Sequence, residues 1–479
     1  MSLRYLLDWA CCAVLAISIL NTTDLTARAD IGVVLADPTT IGVSVYTHAG
    51  HSLVYLSGVC AASPVRARLC EAGEQGSVVT TYPDFRETQA YAWNLVPLSL
   101  YLEGSLTPGD RLLFGSRLIK EALEAYARES FLRDVCADGH CPQTPHSFWR
   151  DIVDANAVRD IFIFAVRTTR EQDQAAVEWL NGGPNVNHYN GFTNNCAVFT
   201  SSLVNLIFPH SVHRDFPNDL GMMAPKAAAR SFTHWARKRP ELGFYSLHFA
   251  QQPGSLPRSG VAQSGTETAI HMKKYLIPAA LIGDHEVAGS FFVAYFLTGR
   301  FGVYKEFVRN PSSSAVGPEG KPEPEEEGRD EVQWSYVGTD AEQRRSTVLG
   351  LPQDWAEYRE RFTQMQDSAE AKELSHKRFF PQQFDSAKAS VDAKGQPWLT
   401  MEIDGTTRQV GISNRNLMAA ESDPELAFQL MLGRVGYVLR AKNHMRETME
   451  EFRKDWSLLE EARNRLLANR EHLRIASLP

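Results

Sequence analysis

The sequence of 479 residues predicts an α+β fold, in which strands come first along the chain and helices follow. Apolar and polar residues alternate over 41–47 and 51–57, and a third β-rich run covers 77–82. After a helical region, residues 160–166 form a return strand, and from about 201 to 305 the pattern indicates helices and loops. Strands and helices segregated in this way favour an α+β architecture over an alternating α/β one.

The return strand leads into a helix with clear boundary signals. Thr168 is followed three residues later by Glu171. Thr169 is followed in the same way by Gln172, so either threonine can form a capping box. Gly182, followed by a second glycine and a proline, ends the helix. We therefore expect a helix between these two signals.

The first 29 residues have the pattern of a secretory signal. Arg4 precedes an apolar run over 9–20, and Ala27 and Ala29 place small residues at the two positions that a signal peptidase recognises. The run is too short for a membrane span, which needs about 20 apolar residues. We expect cleavage after Ala29 and a mature protein in the periplasm or outer cell envelope, with an uncleaved anchor as the alternative.

Export determines how the cysteines are interpreted. Two of the seven cysteines leave with the signal, and in an oxidising compartment the others pair unless their chemistry requires a free thiol. The economical pairings are Cys60 with Cys70 and Cys136 with Cys141, because each closes a short loop. Cys196 is then left unpaired.

Charge and composition divide the mature chain into two parts. The formal net charge is −8 without a basic field, which argues against nucleic-acid binding. Residues 306–331 form an acidic linker rich in proline and serine, with little apolar surface to bury. We expect a thiol domain over 30–305, with a helical extension from about 211, and a mostly helical domain over 332–479.

One apolar segment covers residues 275–303. It contains Asp284, His285, Glu286 and Arg300, whose charges would be costly in lipid. The sequence therefore favours a buried helical hairpin over a membrane span, and it leaves open contact with a membrane surface.

The last part of the chain predicts a long helix after a small hairpin at 397–411. Apolar residues recur there at intervals of seven, as in a coiled coil, at Met445, Phe452, Leu459, Leu466 and Leu473. Such a helix can pack on its own domain or bind a partner helix through 445–473, and the sequence leaves both alternatives open.

The segment around Cys196 has the features of a nucleophile site. Phe199, Leu203 and Ile207 recur at helical spacing, so a helix begins at or just before Cys196, capped by an asparagine or threonine. The helix terminus is expected to lower the pKa of a first-turn thiol, and its free N–H groups can stabilise an oxyanion. The side-chain amide of Asn195 could add to that oxyanion site. A buried, inert thiol is the alternative.

A thiol nucleophile needs a base, and His51 is the candidate. It begins a strand directly after Gly50, and it shares a strand face with Leu53 and Tyr55. His48, in the preceding turn, and His188, eight residues before Cys196, are competitors. A purely structural role for His51 is the alternative.

Gly-His at the head of a strand, followed well downstream by Asn-Cys at the start of a helix, resembles the circularly permuted papain-like group. That group includes lecithin-retinol-acyltransferase-like and permuted NlpC-type proteins, and the resemblance covers roughly residues 40–210. It implies an antiparallel sheet packed on helices, with His51 as base and Cys196 as nucleophile. It also implies a third polar group on the next strand that orients the histidine, for which Asp84 and Tyr82 are candidates.

The resemblance implies acyl-group chemistry through an acyl-enzyme, without a cofactor. We expect an acyltransferase or thiol hydrolase that acts on lipid or lipoprotein acyl groups at the cell envelope. A cell-wall peptide amidase and an inactive envelope scaffold are the alternatives. No metal is expected, because Cys136, His140 and Cys141 lack the second ligand pair of a zinc site.

Overall fold

The computed structural model describes most of the chain from residue 29 onwards. The described residues are 29–39, 49–81, 93–107, 110–133, 152–183, 185, 190, 193–219, 222–271, 293, 301–303, 313–314, 352–369, 387–403, 405–440 and 449–476. Several predictions fall outside them: the signal, the strand at 41–47, most of 275–303 and of the linker, and the residues His48, Tyr82, Asp84, Cys136, His140, Cys141 and His188.

The first part of the chain contains most of the strands. They are β1 (Ala29–Ala36), β2 (His51–Leu56), β3 (Val59–Ser63), β4 (Arg66–Leu69), β5 (Ser77–Thr81), β6 (Trp93–Pro97), β7 (Ile161–Thr168), β8 (Tyr245–Phe249) and β9 (Ser313–Ser314). The helices between them are α1 (Leu98–Glu103), α2 (Arg117–Glu129), α3 (Arg170–Asn181), α4 (Cys196–Ile207), α5 (Phe216–Asp219), α6 (Pro225–Ala236) and α7 (Gly265–His271).

Seven of these strands form one sheet in the order β6-β5-β2-β1-β7-β8-β9. All neighbours are antiparallel except β8 and β9, and the α+β class is confirmed. The strands β2, β5 and β7 lie where the sequence predicts them. The strand β1 was not predicted, and the expectation of only helices and loops after residue 201 is wrong at β8.

Alternation along β2 gives the sheet two buried faces. Face A carries Leu53 and Tyr55, and face B carries Val54 and Leu56. The helices α3, α4 and α6 contribute their apolar residues to the core on face B. The helices α1 and α2 contribute theirs to the core on face A.

The C-terminal part supplies the rest of the core on face A. Its elements are α8 (Pro352–Gln366), β10 (Lys388–Val391), β11 (Pro397–Ile403), β12 (Thr406–Gly411), α9 (Asn414–Leu417), α10 (Pro424–Arg440) and α11 (Met449–Ala476). The hairpin predicted at 397–411 is β11–β12, and β10 extends it to three strands. Leu113 N–H donates to Ile412 O at 2.8 Å, so main-chain bonds join the two parts.

The predicted heptad stripe on α11 is largely used within the chain. Phe452, Leu459 and Leu466 are buried, and α11 packs against α10. Leu473, near the end of the helix, is 63% exposed. None of the helices in the described part of the chain is both long enough and apolar enough to cross a bilayer.

Candidate functional site

Cys196 is the first residue of α4, as its sequence context predicts. Asn195 is the N-cap, and its Oδ1 accepts a hydrogen bond from Val198 N–H at 3.0 Å. The Nδ2 of Asn195 donates to Met223 O at 3.0 Å. Both ends of this side chain therefore hold the start of the helix in place. The structure gives Asn195 this positioning role, whereas the oxyanion role stays a prediction.

Burial dominates the chemistry of the Cys196 thiol. Cys196 is free and half-buried, and burial raises its pKa to about 11. The main-chain N–H groups of Ser52, Ala197 and Cys196 itself donate toward the sulfur and lower the pKa, but they do not offset burial. The expectation of a lowered thiol pKa is therefore wrong for this structure, because loss of hydration outweighs the helix terminus.

His51 begins β2, as predicted, and it is buried. Burial, followed by the nearby positive charge of Arg159, holds the pKa of His51 well below its ordinary value. The ring is therefore neutral near pH 7 and has a lone pair to accept a proton. Strand alternation assigns the ring to face A, with Leu53 and Tyr55, whereas α4 packs on face B.

Thr80, on the neighbouring strand β5, is a site residue that the sequence analysis missed. Its Oγ1 lies 3.0 Å from Nε2 of His51. It stands on the next strand, where the resemblance implies an orienting group, whereas Asp84 and Tyr82 lie outside the described residues. Threonine is common in strands, so only its place in the sequence two residues before the candidate Tyr82 could have indicated it.

Ser52 links the strand that begins with His51 to the helix that begins with Cys196. Its N–H donates to the sulfur of Cys196, and its Oγ–H donates to Thr200 Oγ1 at 3.1 Å. The register between β2 and β5 runs from Val54 to Leu56, so Ser52 lies beyond it and turns its N–H to the sulfur. The main chain of Ser52, the residue after His51, therefore lies beside Cys196.

His248 is a buried histidine on face B that the sequence analysis did not consider. Its ring stacks on Phe162 with centroids 4.5 Å apart, and its Nε2 lies 3.5 Å from Asp160 Oδ1. It is three strands from β2 in the sheet order, which corresponds to roughly 14 Å between main chains. That distance is too large for proton transfer with a thiol held at β2.

The disulfide between Cys60 and Cys70 is confirmed. Within the described residues, a group of potential metal ligands consists of these two cysteines and Glu74. However, the two sulfurs are bonded to each other, and Glu74 accepts hydrogen bonds from Arg68. The group is therefore a covalently closed hairpin and does not fit a metal centre. Cys136 and Cys141 lie outside the described residues.

A second group of buried ionisable residues lies beside α1 and α2. Gln252 Nε2 donates to Glu103 Oε2 at 2.8 Å and to Asp154 Oδ1 at 3.2 Å. Burial raises the pKa of Glu103 to about 7 and that of Asp154 well above its ordinary value. Lys120 Nζ, 3.4 Å from Glu124 Oε1, adds the positive charge. These residues fill the interior on face A and contribute nothing to the Cys196 site.

Comparison with known proteins does not assign a family. No family model matches the chain, and no curated protein matches it. The crystal structure of the type VI secretion system effector TseH aligns with 43% of this chain and 88% of that chain, at 14% identity and a TM-score of 0.22. A likeness of that size carries no argument about fold or function, so the functional case depends on the site.

Proposed function

We propose that the protein is a cysteine-dependent acyl-transfer enzyme, either a hydrolase or an acyltransferase, in which Cys196 is the nucleophile and His51 the base. The observation that carries the proposal is the free Cys196 thiol at the start of α4, where three main-chain N–H groups point at the sulfur. His51 is neutral and directly precedes Ser52 in β2, but its ring lies on face A, so the proposed pairing requires proton transfer around the start of the strand.

The protonation states support attack by a neutral thiol. His51, at the first position of β2, would take the proton of Cys196 around the end of the strand as the sulfur bonds to the carbonyl carbon, and Thr80 would hold the imidazole ring. The N–H groups at the helix start would donate to the developing oxyanion. The proton then passes from His51 to the leaving group, and an acyl-enzyme remains on the sulfur. Water or an acceptor amine resolves this thioester.

Lipid or lipoprotein acyl groups at the cell envelope are the substrate class that we propose. Apolar surface near the nucleophile supports this choice. Phe199, less than one turn after Cys196, contacts the exposed ring of Trp179 with centroids 5.7 Å apart. Leu206, further along the same helix, is 42% exposed. An acyl chain could lie along this strip. A cell-wall peptide is the competing substrate.

A scaffold without catalytic activity is the competing class of function. The projecting end of α11 favours it, because Leu473 is 63% exposed there. The buried, resting thiol of Cys196 is compatible with both classes. Only a test of acylation separates them.

The test is covalent labelling with an ester probe that acylates nucleophilic cysteines. We expect labelling of the wild type, none of Cys196→Ala, and a large loss for His51→Ala. The matched control is His213→Ala, which removes an exposed histidine and should label normally. Labelling that persists in Cys196→Ala would contradict the nucleophile assignment, and no labelling of any form would favour the scaffold.

Substrate class is tested by trapping the acyl-enzyme on envelope extracts and measuring its intact mass. A fatty-acyl adduct on Cys196 supports the lipid substrate, and a muropeptide adduct supports the amidase alternative.

A further inference from the structure

Ser52 interacts with one face of α4 at two points. Its Oγ–H donates to Thr200 Oγ1 at 3.1 Å, and its main-chain N–H faces the sulfur of Cys196 and lowers the pKa of the thiol. Cys196 and Thr200 are four residues apart, so they project from the same side of the helix in successive turns. A single strand residue therefore contacts the helix at two successive turns.

This contact is shielded from water. Ser52 is 1% exposed and Thr200 is fully buried. A buried hydroxyl that loses its partner keeps the cost of its lost hydration, so the Ser52–Thr200 pair favours one relative placement of strand and helix. The core on face B, which includes Val54 and Val204, is apolar, and apolar contacts are less directional than a hydrogen bond.

The placement matters because Ser52 directly follows His51 in β2. We infer that the hydrogen bond between Ser52 and Thr200 sets the position of the Cys196 sulfur relative to His51, which makes Ser52 and Thr200 positioning residues for acyl transfer. This inference rests on the proposed function. It assigns a role to two hydroxyl groups that contact neither the substrate nor the reacting atoms.

Two substitutions at residue 200 separate positioning from packing. Thr200→Val keeps the shape of the side chain and removes the hydroxyl, whereas Thr200→Ser keeps the hydroxyl and removes a methyl group. We expect Thr200→Val to lower the rate constant of Cys196 acylation by an ester probe about tenfold. Thr200→Ser should stay close to the wild type. The reverse order, with Ser slower than Val, would overturn the inference.

The matched control is Thr233→Val on α6. Thr233 is also fully buried, and its Oγ1 has no hydrogen-bond partner among the described residues. This variant makes the same chemical change away from the Cys196 contact, and it should acylate like the wild type. Thermal melting of all three variants checks that each is folded, and a Thr233→Val rate as low as that of Thr200→Val would contradict a specific role.

A second measurement keeps this test independent of the proposed function. If the ester probe fails to label even the wild type, the proposed function fails. The positioning role is then tested through alkylation of Cys196 by iodoacetamide across a pH series. We expect the Thr200→Val profile to move to lower pH, because a displaced sulfur is better hydrated, while Thr200→Ser and Thr233→Val match the wild type. An unchanged Thr200→Val profile would overturn the inference.

Discussion

At the scale of single residues, burial rather than the helix terminus determines the state of the nucleophile. The pKa of Cys196 is raised to about 11 although three N–H groups face its sulfur, and the pKa of His51 is lowered by the same cause. One pKa is raised and the other is lowered, and both shifts favour the neutral form of the group. Both groups are therefore neutral at rest, and in the proposed reaction charge separates only when Cys196 attacks the substrate.

This state predicts how Cys196 responds to pH in the absence of substrate. Below a pKa of about 11 the thiolate fraction rises about tenfold per pH unit, so the rate of alkylation by iodoacetamide should still be rising at pH 9. Peptide mass spectrometry of non-reduced protein follows Cys196, while Cys60 and Cys70 stay bonded. A plateau reached between pH 6 and 8 would show a preformed thiolate and contradict this prediction.

Prediction from the sequence works for these residues where the signal is local. Cys196 and its cap Asn195 are neighbours in the chain, and helix-start chemistry identifies both. Thr80 and Ser52 acquire their roles from strand pairing and from packing of β2 on α4, over 29 and 148 positions of sequence. No local pattern contains that information. The same holds for the thiol pKa, which depends on everything that surrounds the sulfur.

At the scale of elements, two helices on face B begin with a side-chain cap, one exposed to solvent and one buried. Thr169 forms a capping box with Gln172 at the exposed start of α3, as predicted. Asn195 caps α4 in the interior, where it also holds Met223 O. The first cap stabilises only its helix. The Asn195 cap also holds the helix turn that contains Cys196.

Replacement of the two caps by alanine should separate these roles. We expect Thr169→Ala and Asn195→Ala each to lower the free energy of unfolding by about 1 kcal/mol, measured by urea denaturation. Only Asn195→Ala should also slow acylation of Cys196, because Thr169 is remote from the thiol. Equal acylation rates in the two variants would contradict a positioning role for Asn195.

Two strands that the sequence did not predict, β8 and β1, were missed for different reasons. β8 has only five residues, and it is a strand because Tyr245 to Phe249 pair with residues of β7 at least 80 positions earlier. β1 directly follows a segment whose apolar pattern was assigned to the signal. In contrast, β2, β5 and the β11–β12 hairpin have alternation and turn residues of their own. At β8, pairing with β7 overrides a weak local preference for strand.

The buried carboxyl groups beside α1 and α2 predict a pH dependence of stability. The pKa of Glu103 is about 7 in the folded chain, against about 4.3 when unfolded. The stability that Glu103 contributes to the folded state is therefore fully present below about pH 4.3 and is lost as the pH rises through about 7. We expect Glu103→Gln to flatten the fall of unfolding free energy between pH 5 and 8. The exposed control Glu178→Gln should retain the wild-type slope, and a Glu103→Gln slope equal to it would contradict the prediction.

At the scale of the whole molecule, one core on face A includes residues from both ends of the chain. Arg434 on α10 forms a buried ion pair with Asp455 on α11, and its Nη1 donates to Leu113 O at 2.9 Å. The C-terminal helices are thereby bound to the segment before α2. The division into a thiol domain and a C-terminal domain stays a prediction, but these contacts couple the two parts.

Removal of one partner of this ion pair tests the coupling. Asp455→Ala leaves the guanidinium of Arg434 buried without its carboxylate, and we expect unfolding free energy to fall by about 3–5 kcal/mol. The control is Glu357→Ala, which breaks an exposed pair with Arg361 on α8 and should change little. Urea denaturation followed by circular dichroism measures both. A loss below about 1 kcal/mol in Asp455→Ala would contradict tight coupling.

The buried thiol has a further consequence for the lifetime of the protein. At a pKa of about 11, roughly one molecule in ten thousand carries a thiolate at pH 7. Thiolates attack peroxides and disulfides, whereas protonated thiols largely do not. In the folded protein, the same burial should therefore protect Cys196 from sulfenic acid formation and from mixed disulfides. Cys196 should therefore stay reduced in the presence of oxidants until substrate binds.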